Sequence, residues 1–425
     1  ATAPTSTTGT QLLPAGATAP AATDVPVEQR LADLEARLKA AEDAAEKNEE
    51  KMGWLRHIKI GGYIQGQLLI QRSNAAGSSN LGTNGQLPAG VGSNDIIAKA
   101  DGTTTNGDFF RLRRARLKVE LMPTEYARLV MEIDPIPQGG TIARQAEAQG
   151  IAKWSHDCTT EFGVGLYKPQ FGYYLPSSDA DTYFIEKSAF IGNMFPGERD
   201  IGARANTSLL RKKLNINLAL TNGYMTGEKN FALQTDLNRG KDFWGRVNYN
   251  FGPFDVGFST TYGQGQNVDP VALKFKQFPR WGVDFEGNIH HTFSKALGET
   301  RFYGEFVLGK NEDRGTRYSF ALPAIPADAV NGTVQDLDER AVSLRLEQEL
   351  SKLFFGGLRY DYYSPDTAQK NNQRDTYSFV GGVHFTKGLD LRLEYDYAID
   401  NVHKPNAPAP SRQFHTFSTS LQARF

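Results

Sequence analysis

"FFRLRRARLKVELMP", residues 109–123, decides the fold because it reads in two ways. As a plain string it is a basic run of the kind that grips nucleic acid, with four arginines and a lysine within eight positions. At a period of two, Ala115, Leu117, Val119 and Leu121 fall on one side and Arg114, Arg116, Lys118 and Glu120 on the other. That alternation is a β-strand, not a charged helix. Its aliphatic face needs hydrocarbon or a packed core, and its charged face needs water or counter-charge.

The same period runs from Ile58 almost to residue 425. Ile58, Ile60, Ile64, Leu68 and Ile70 alternate with Lys59, Tyr63, Gln65 and Gln67, and Leu389, Leu391, Leu393, Tyr395 and Tyr397 alternate with Asp390, Arg392, Glu394 and Asp396. About sixteen such segments follow one another over 57–425, typically 8 to 13 residues long. Tight connections such as "FGPFD" (251–255) and "SKL" (351–353) alternate with long ones such as 71–108 and 312–336. An even strand count with short turns at one end and long loops at the other predicts an antiparallel up-and-down transmembrane β-barrel of about 16 strands. A soluble sandwich alternates too, but its inner faces are apolar, whereas here the second face of nearly every strand carries Arg, Glu, Asp, Asn or Gln. A water-filled lumen accepts those groups, and lipid accepts the others. Tyr360, Tyr362, Tyr395, Tyr397, Phe243, Tyr249 and Phe251 stand near strand ends, as rings do at membrane interfaces. The stretch "HTFSTSLQARF" places Phe417, Thr419, Leu421, Ala423 and Phe425 on one face of a closing strand.

Composition agrees. The 425 residues include 42 Gly, 17 Tyr and 26 Phe against one Cys and 22% charged residues, a strand-and-turn balance. Mean hydropathy is −0.47, which alternation produces even in a membrane barrel. The net charge of −1 lacks the basic footprint of a nucleic-acid binder. Cys158 excludes an internal disulfide and reads as a buried or interface thiol; no metal or cofactor motif is visible. The opening "ATAPTSTTGT" has neither a basic start nor an apolar core and suits a chain already trimmed of a signal peptide.

Residues 1–26 are rich in Ala, Thr and Pro and are expected to be disordered. Over 27–53, Val27, Leu31, Leu34, Leu38, Ala41 and Ala45 recur at alternating spacings of four and three, a heptad seam among Glu, Lys, Arg and Ala. This predicts a short coiled-coil stalk, which at that length requires sister chains or a body that holds several copies together; the alternative is a single solvated helix.

The loop at about 169–199, within "YKPQFGYYLPSSDADTYFIEKSAFIGNMFPGERD" (167–200), holds three prolines and four phenylalanines, too apolar for an external loop. It is expected to fold into the lumen and to present Asp179, Asp181, Glu186 and Lys187 at a constriction. Arg114, Arg116, Lys118, Arg128 and Arg204 have the inward parity of their strands and would line the channel opposite it. Arg111 and Arg113 have the other parity and belong at a rim or a bulge. Such a row concentrates anions by field focusing, or it pairs with the loop acids and sets only pore size and a transverse field.

The stretches "FFRLRRARLKVE" (109–120), "GLYKPQFG" (165–172), "FIEKSAF" (184–190) and "GERDIGARA" (197–205), with the terminal strand, resemble the phosphate- and pyrophosphate-selective porins of Gram-negative outer membranes. The resemblance implies a homotrimeric sixteen-stranded barrel with an arginine ladder, to which Arg113, Arg114 and Arg116 would contribute, and an anion such as phosphate as solute. It also implies a lysine on the loop, where "SSDADTYF" (177–184) offers Asp179 and Asp181 instead. The coiled coil is an addition to that family's pattern; on a trimer it would make a periplasmic stalk touching peptidoglycan or another periplasmic partner, while the barrel meets outer-membrane lipid and lipopolysaccharide. Other classes fit less well. An enzyme would need a Ser/His pair held by a third group, and the seven histidines are scattered apart from His290 and His291. A sugar channel would need an aromatic path, for which Trp154 and Trp244 are the candidates. A general porin whose stalk tethers the membrane to the cell wall is the remaining alternative.

Overall fold

In the computed structural model the chain divides into two units, Ala1–Arg56 and His57–Phe425. The described residues are Ala32, 36–40 and Glu42 in the first, and 56–73, 97–98, 104–105, 107–135, 143–195, 198–223, 240–269, 274–293, 297–312, 337–368, 373–401 and 412–425 in and around the second. In the first unit 36–40 are helical, and Leu38, on the expected seam, is 61% exposed. Val27, Leu31, Leu34, Ala41 and Ala45 lie outside the described residues, as does the segment 1–26.

The second unit is a closed antiparallel barrel of sixteen strands, each paired with its sequence neighbours. They are β1 (Ile58–Ser73), β2 (Gly107–Thr124), β3 (Ala127–Ile133), β4 (Ala143–Ser155), β5 (Cys158–Tyr167), β6 (Asp200–Leu209), β7 (Leu214–Thr221) and β8 (Asp242–Asn250), then β9 (Phe254–Asp269), β10 (Lys274–His291), β11 (Thr300–Lys310), β12 (Asp338–Glu349), β13 (Phe354–Ser364), β14 (Arg374–Thr386), β15 (Leu389–Asp400) and β16 (Arg412–Arg424). Turns such as 125–126, 156–157 and 387–388 join strands at one end, and long connections such as 74–106, 168–199 and 311–337 at the other. Closure comes from β1 lying against β16, with Tyr63 opposite Arg424 and Ile70 opposite Phe417. At that seam the Gly62 N–H donates to the Phe425 carbonyl and the Phe425 N–H donates back, both at 3.1 Å.

Burial is inverted relative to a soluble protein. Ile60, Ile64, Leu129, Met131, Val164, Phe258, Phe285, Leu344, Phe379 and Leu421 are exposed on the outside, while Gln65, Ser259, Asp284, Glu347, Arg392, Glu394 and Ser420 are buried inside. Only hydrocarbon around the wall makes such an arrangement favourable, and closure leaves no unpaired edge. Exposed rings stand near the short turns (Phe251, Phe254, Phe293, Phe354) and nearer the long loops (Tyr262, Trp281, Tyr377). In the upper row Tyr360 lies 5.2 Å from Tyr377, which stacks on Tyr397 at 6.4 Å.

Candidate functional site

The basic strand β2 pairs with β1 in a register that slips between Gln65 and Gly66: Arg114 faces Gln65, and the next partner, Gly66, faces Leu112. Arg113 is therefore the extra residue of a β-bulge, which turns two consecutive side chains to the same side. Beyond the bulge the parity reverses, so Leu112 and Phe110 are exposed outside while Arg111 donates to Gln67 Oε1 at 2.7 Å inside. The bulge thus gathers Arg111, Arg113, Arg114 and Arg116 on the lumenal face.

The connection 168–199 folds into the barrel. Phe171, Tyr174, Leu175, Phe190, Ile191, Met194 and Phe195 form a buried cluster with Tyr167, Trp244, Val307, Ala341 and Tyr363 of the wall. Phe171 and Phe195 pack 6.2 and 6.0 Å from the Trp244 ring, whose Nε1 donates to Thr221 at 3.0 Å. Backbone groups of the loop, which would otherwise be unsatisfied in the lumen, find wall side chains. The Gly172 N–H donates to Ser259 Oγ (2.9 Å), that of Tyr174 to Glu305 (3.2 Å), that of Tyr183 to Glu347 (3.2 Å) and that of Ile185 to Glu394. In return Arg114 donates to the Ile185 carbonyl (3.1 Å) and Arg359 to the Glu186 carbonyl (2.7 Å). Gly172 sits at φ +59°, and a Cβ there would fall 2.0 Å from Glu305 Oε1, so the descent of the loop requires glycine at this point.

The loop carboxylates meet the arginines directly rather than facing them across a gap. Asp179 Oδ2 lies 2.9 Å from Arg116 Nη2 and 3.5 Å from Arg114 Nε. Glu186 receives Arg113 Nε at 2.5 Å, and Arg113 Nη2 and Arg114 Nη2 at 2.8 Å each. Burial pushes both carboxyls up, but the guanidinium groups outweigh it. Arg114 and Arg116 hold Asp179 well below the usual carboxylate range, and Arg113 and Arg114 bring Glu186 down to about 2.

Two expected constriction residues stand elsewhere. Asp181 is exposed and pairs with Arg424 of β16 at 3.5 Å, because the loop tip dips towards the short-turn end. Lys187 is drawn into the loop interior, its Nζ donating to the Leu175 carbonyl and to Glu198, both at 3.2 Å. Among the other cations, Lys118 pairs with Glu120 at 2.6 Å and Arg128 with Glu161 at 2.8 Å, towards the short-turn end. Arg204 forks onto Glu147 at 2.5 and 2.8 Å on a different arc of the wall, over the Tyr167 ring. Trp244 points inward but is covered by the loop, and Trp154 is exposed near the 156–157 turn, donating to Thr160 at 2.9 Å, so the two do not form an aromatic path. Cys158 is half-buried beside the same turn rather than sealed in. Among the described residues no group of three or more His, Cys, Asp or Glu is arranged to hold a metal.

Sequence reasoning missed the wall partners of the loop: Ser259, Glu305, Glu347, Arg359 and Glu394. Their inward parity was readable, but which of them the loop would meet depends on where it crosses the lumen.

No family model and no curated protein matches the chain, so the likeness to phosphate-selective porins rests on the motifs alone. Solved structures do match. The outer membrane channel DcaP of Acinetobacter baumannii superimposes with a TM-score of 0.54 at 12% identity, over 87% of this chain and 97% of that one. The trimer form of OmpT, an outer membrane protein of Vibrio cholerae, gives 0.51 at 9% identity over 87% and 99%. An anion-selective porin from Comamonas acidovorans gives 0.50 at 8% identity over 87% and 99%. The fold is that of the outer-membrane porins.

Proposed function

We propose that the chain is a porin of a Gram-negative outer membrane, through which small hydrophilic solutes diffuse passively with a modest preference for anions. The observation that carries this reading is the inverted barrel with an apolar-cored loop folded inside and a charged lining around it. Support for the anion preference comes from the lining. On the arc formed by β1 and β2, Arg111, Arg113, Arg114 and Arg116 gather on the lumenal face against Asp179 and Glu186 of the loop, whereas further round the wall the loop meets Glu305, Glu347 and Glu394. A local cluster of positive charge in a low-dielectric passage raises the concentration of anions beside it. Phosphate is the anion that the sequence motifs suggest. The carboxylates seated on the arginines favour the second reading, a general porin of weak selectivity.

The heptad seam at 27–53 supports a homotrimer with a three-stranded stalk, and the trimer form of the Vibrio protein is a precedent for that state. Residue 57 enters the barrel at the short-turn end, since Ile58 pairs with Leu121 beside the 125–126 turn. With short turns in the periplasm, as in barrels of this type, residue 57 is on the periplasmic side. The test is single-channel recording in planar bilayers under a KCl gradient. A reversal potential of the anionic sign, reduced when Arg114 and Arg116 are replaced by Ala, is expected; absence of conductance would refute the channel. Deleting 1–52 should leave conductance intact while weakening trimer stability or cell-wall association.

A further inference from the structure

The two loop carboxylates that meet the arginines differ in their access to solvent. The Asp179 side chain is 5% exposed and lies among Arg114, Arg116 and Lys187, sealed beneath the loop. Glu186 is 24% exposed, and its partner Arg111 is 17% exposed, so this layer is the more open of the two to the lumen. Here the geometry is that of an oxyanion bound by arginine. One oxygen of Glu186 takes Arg113 Nε at 2.5 Å with Arg111 Nη2 at 3.7 Å, and the other takes Arg113 Nη2 and Arg114 Nη2 at 2.8 Å. The fork on Arg113 is the bidentate arrangement that arginine offers to carboxylate or phosphate.

The backbone around Glu186 is clamped. The Ile185 N–H is held by Glu394, its carbonyl by Arg114, and the Glu186 carbonyl by Arg359. Arg111 is oriented by Gln67 at 2.7 Å. A clamped main chain leaves the side chain of Glu186 as the part able to yield to a competing anion.

We propose that Glu186 is a resident competitor: its carboxylate fills, from within the chain, the seat on Arg111 and Arg113 that a solute oxyanion would otherwise take, and thereby determines how selective the pore is. This deepens the porin reading and rests on it. Asp179 is by contrast a latch that fixes the loop. With Glu186 in place, a diffusing oxyanion meets guanidinium groups that are already paired, and passes. Without it, the same groups form a site where such an anion dwells and obstructs chloride.

The test uses the full-length chain in planar bilayers, with reversal potentials in a KCl gradient and orthophosphate added as the probe. In Glu186→Gln the anion-to-cation permeability ratio is expected to rise about threefold, the size of effect one unit charge has across several ångströms of hydrated pore. Chloride current should then be blocked saturably by orthophosphate. Glu161→Gln, which removes the same charge beside Arg128 near the short-turn end, should change the ratio less and produce no block. Glu186→Asp keeps the charge on a shorter arm and preserves folding if the Gln variant fails to insert; it should show an intermediate block at a near-native ratio. Identical behaviour of the 186 and 161 variants, or no orthophosphate block in either 186 variant, would overturn the proposal. A wild-type chain that conducts no ions would remove the porin reading itself, a result visible before any variant is compared.

Discussion

Phe285→Arg tests the claim on which the rest depends, that the outer face of the wall sits in hydrocarbon. Phe285 is 53% exposed in the middle of β10, flanked by Phe258 on β9 and Phe306 on β11. It lies four residues below the exposed Trp281, about 13 Å along a strand that rises ~3.3 Å per residue, and well short of Phe293 by the turns. A guanidinium at that depth costs about 2–4 kcal/mol, against about 0–1 kcal/mol near an interface. Loss of the ring contact with Phe258, at 5.1 Å between centroids, adds about 1 kcal/mol. The expected destabilisation is therefore about 3–5 kcal/mol, while Phe293→Arg, at the edge of the band, should cost about 1 kcal/mol or less. Reversible guanidinium unfolding in lipid vesicles, followed by tryptophan fluorescence, measures the difference. At about 1.4 kcal/mol per decade, a difference of about 2–4 kcal/mol amounts to roughly thirtyfold to several-hundredfold in the folding equilibrium. Equal costs at the two positions, or a gain in stability for Phe285→Arg, would mean that the outer face is not in lipid.

Acidification gives a second check. Because Glu186 is depressed to about 2 and Asp179 lies well below its ordinary value, their ion pairs contribute fully above the unfolded values of about 4–4.5 and are lost as pH falls through the depressed values, for Glu186 about 2. Current noise from loop motion should rise as pH falls below about 4; no rise there would show that these two ion pairs do not hold the loop. Trp244→Ala removes the platform under Phe171 and Phe195 and should destabilise by up to about 3–5 kcal/mol, with conductance increasing as the loop base loosens. Unchanged conductance would show that the loop does not depend on this packing. Gly172→Ala forces a Cβ against Glu305 at a positive φ and should cost about 1–3 kcal/mol, read by the same unfolding assay; a neutral effect would contradict the tight descent seen here.

Period-two alternation carries most of the fold, because each strand separates lipid from lumen by itself and no long-range information is needed. The parity conflict at Arg111 and Arg113 was readable too, and the bulge opposite Gln65 and Gly66 resolves it. The loop could be recognised by its apolar content but not its destination. Asp181 and Lys187 looked equivalent to Asp179 and Glu186 in the string, yet one faces Arg424 and the other turns back into the loop. Spacing along a loop carries no period that fixes which way a side chain points. Likewise Glu305, Glu347 and Glu394 follow Glu186 by more than a hundred residues, and their bonds to the loop exist only once the wall has curved round to meet it.

The seam between β1 and β16 governs how this molecule comes into being. Tyr63 and Arg424 are neighbours in space though nearly the whole barrel sequence separates them, so no shorter run of strands satisfies both margins of the sheet. Partial assemblies expose sticky borders to one another, and the entropy of joining distant chain ends is recovered only at the last step. Assembly of this wall should therefore be slow, concerted with entry into the bilayer, and intolerant of strand deletion, whereas changes confined to the long loops leave the joining step untouched.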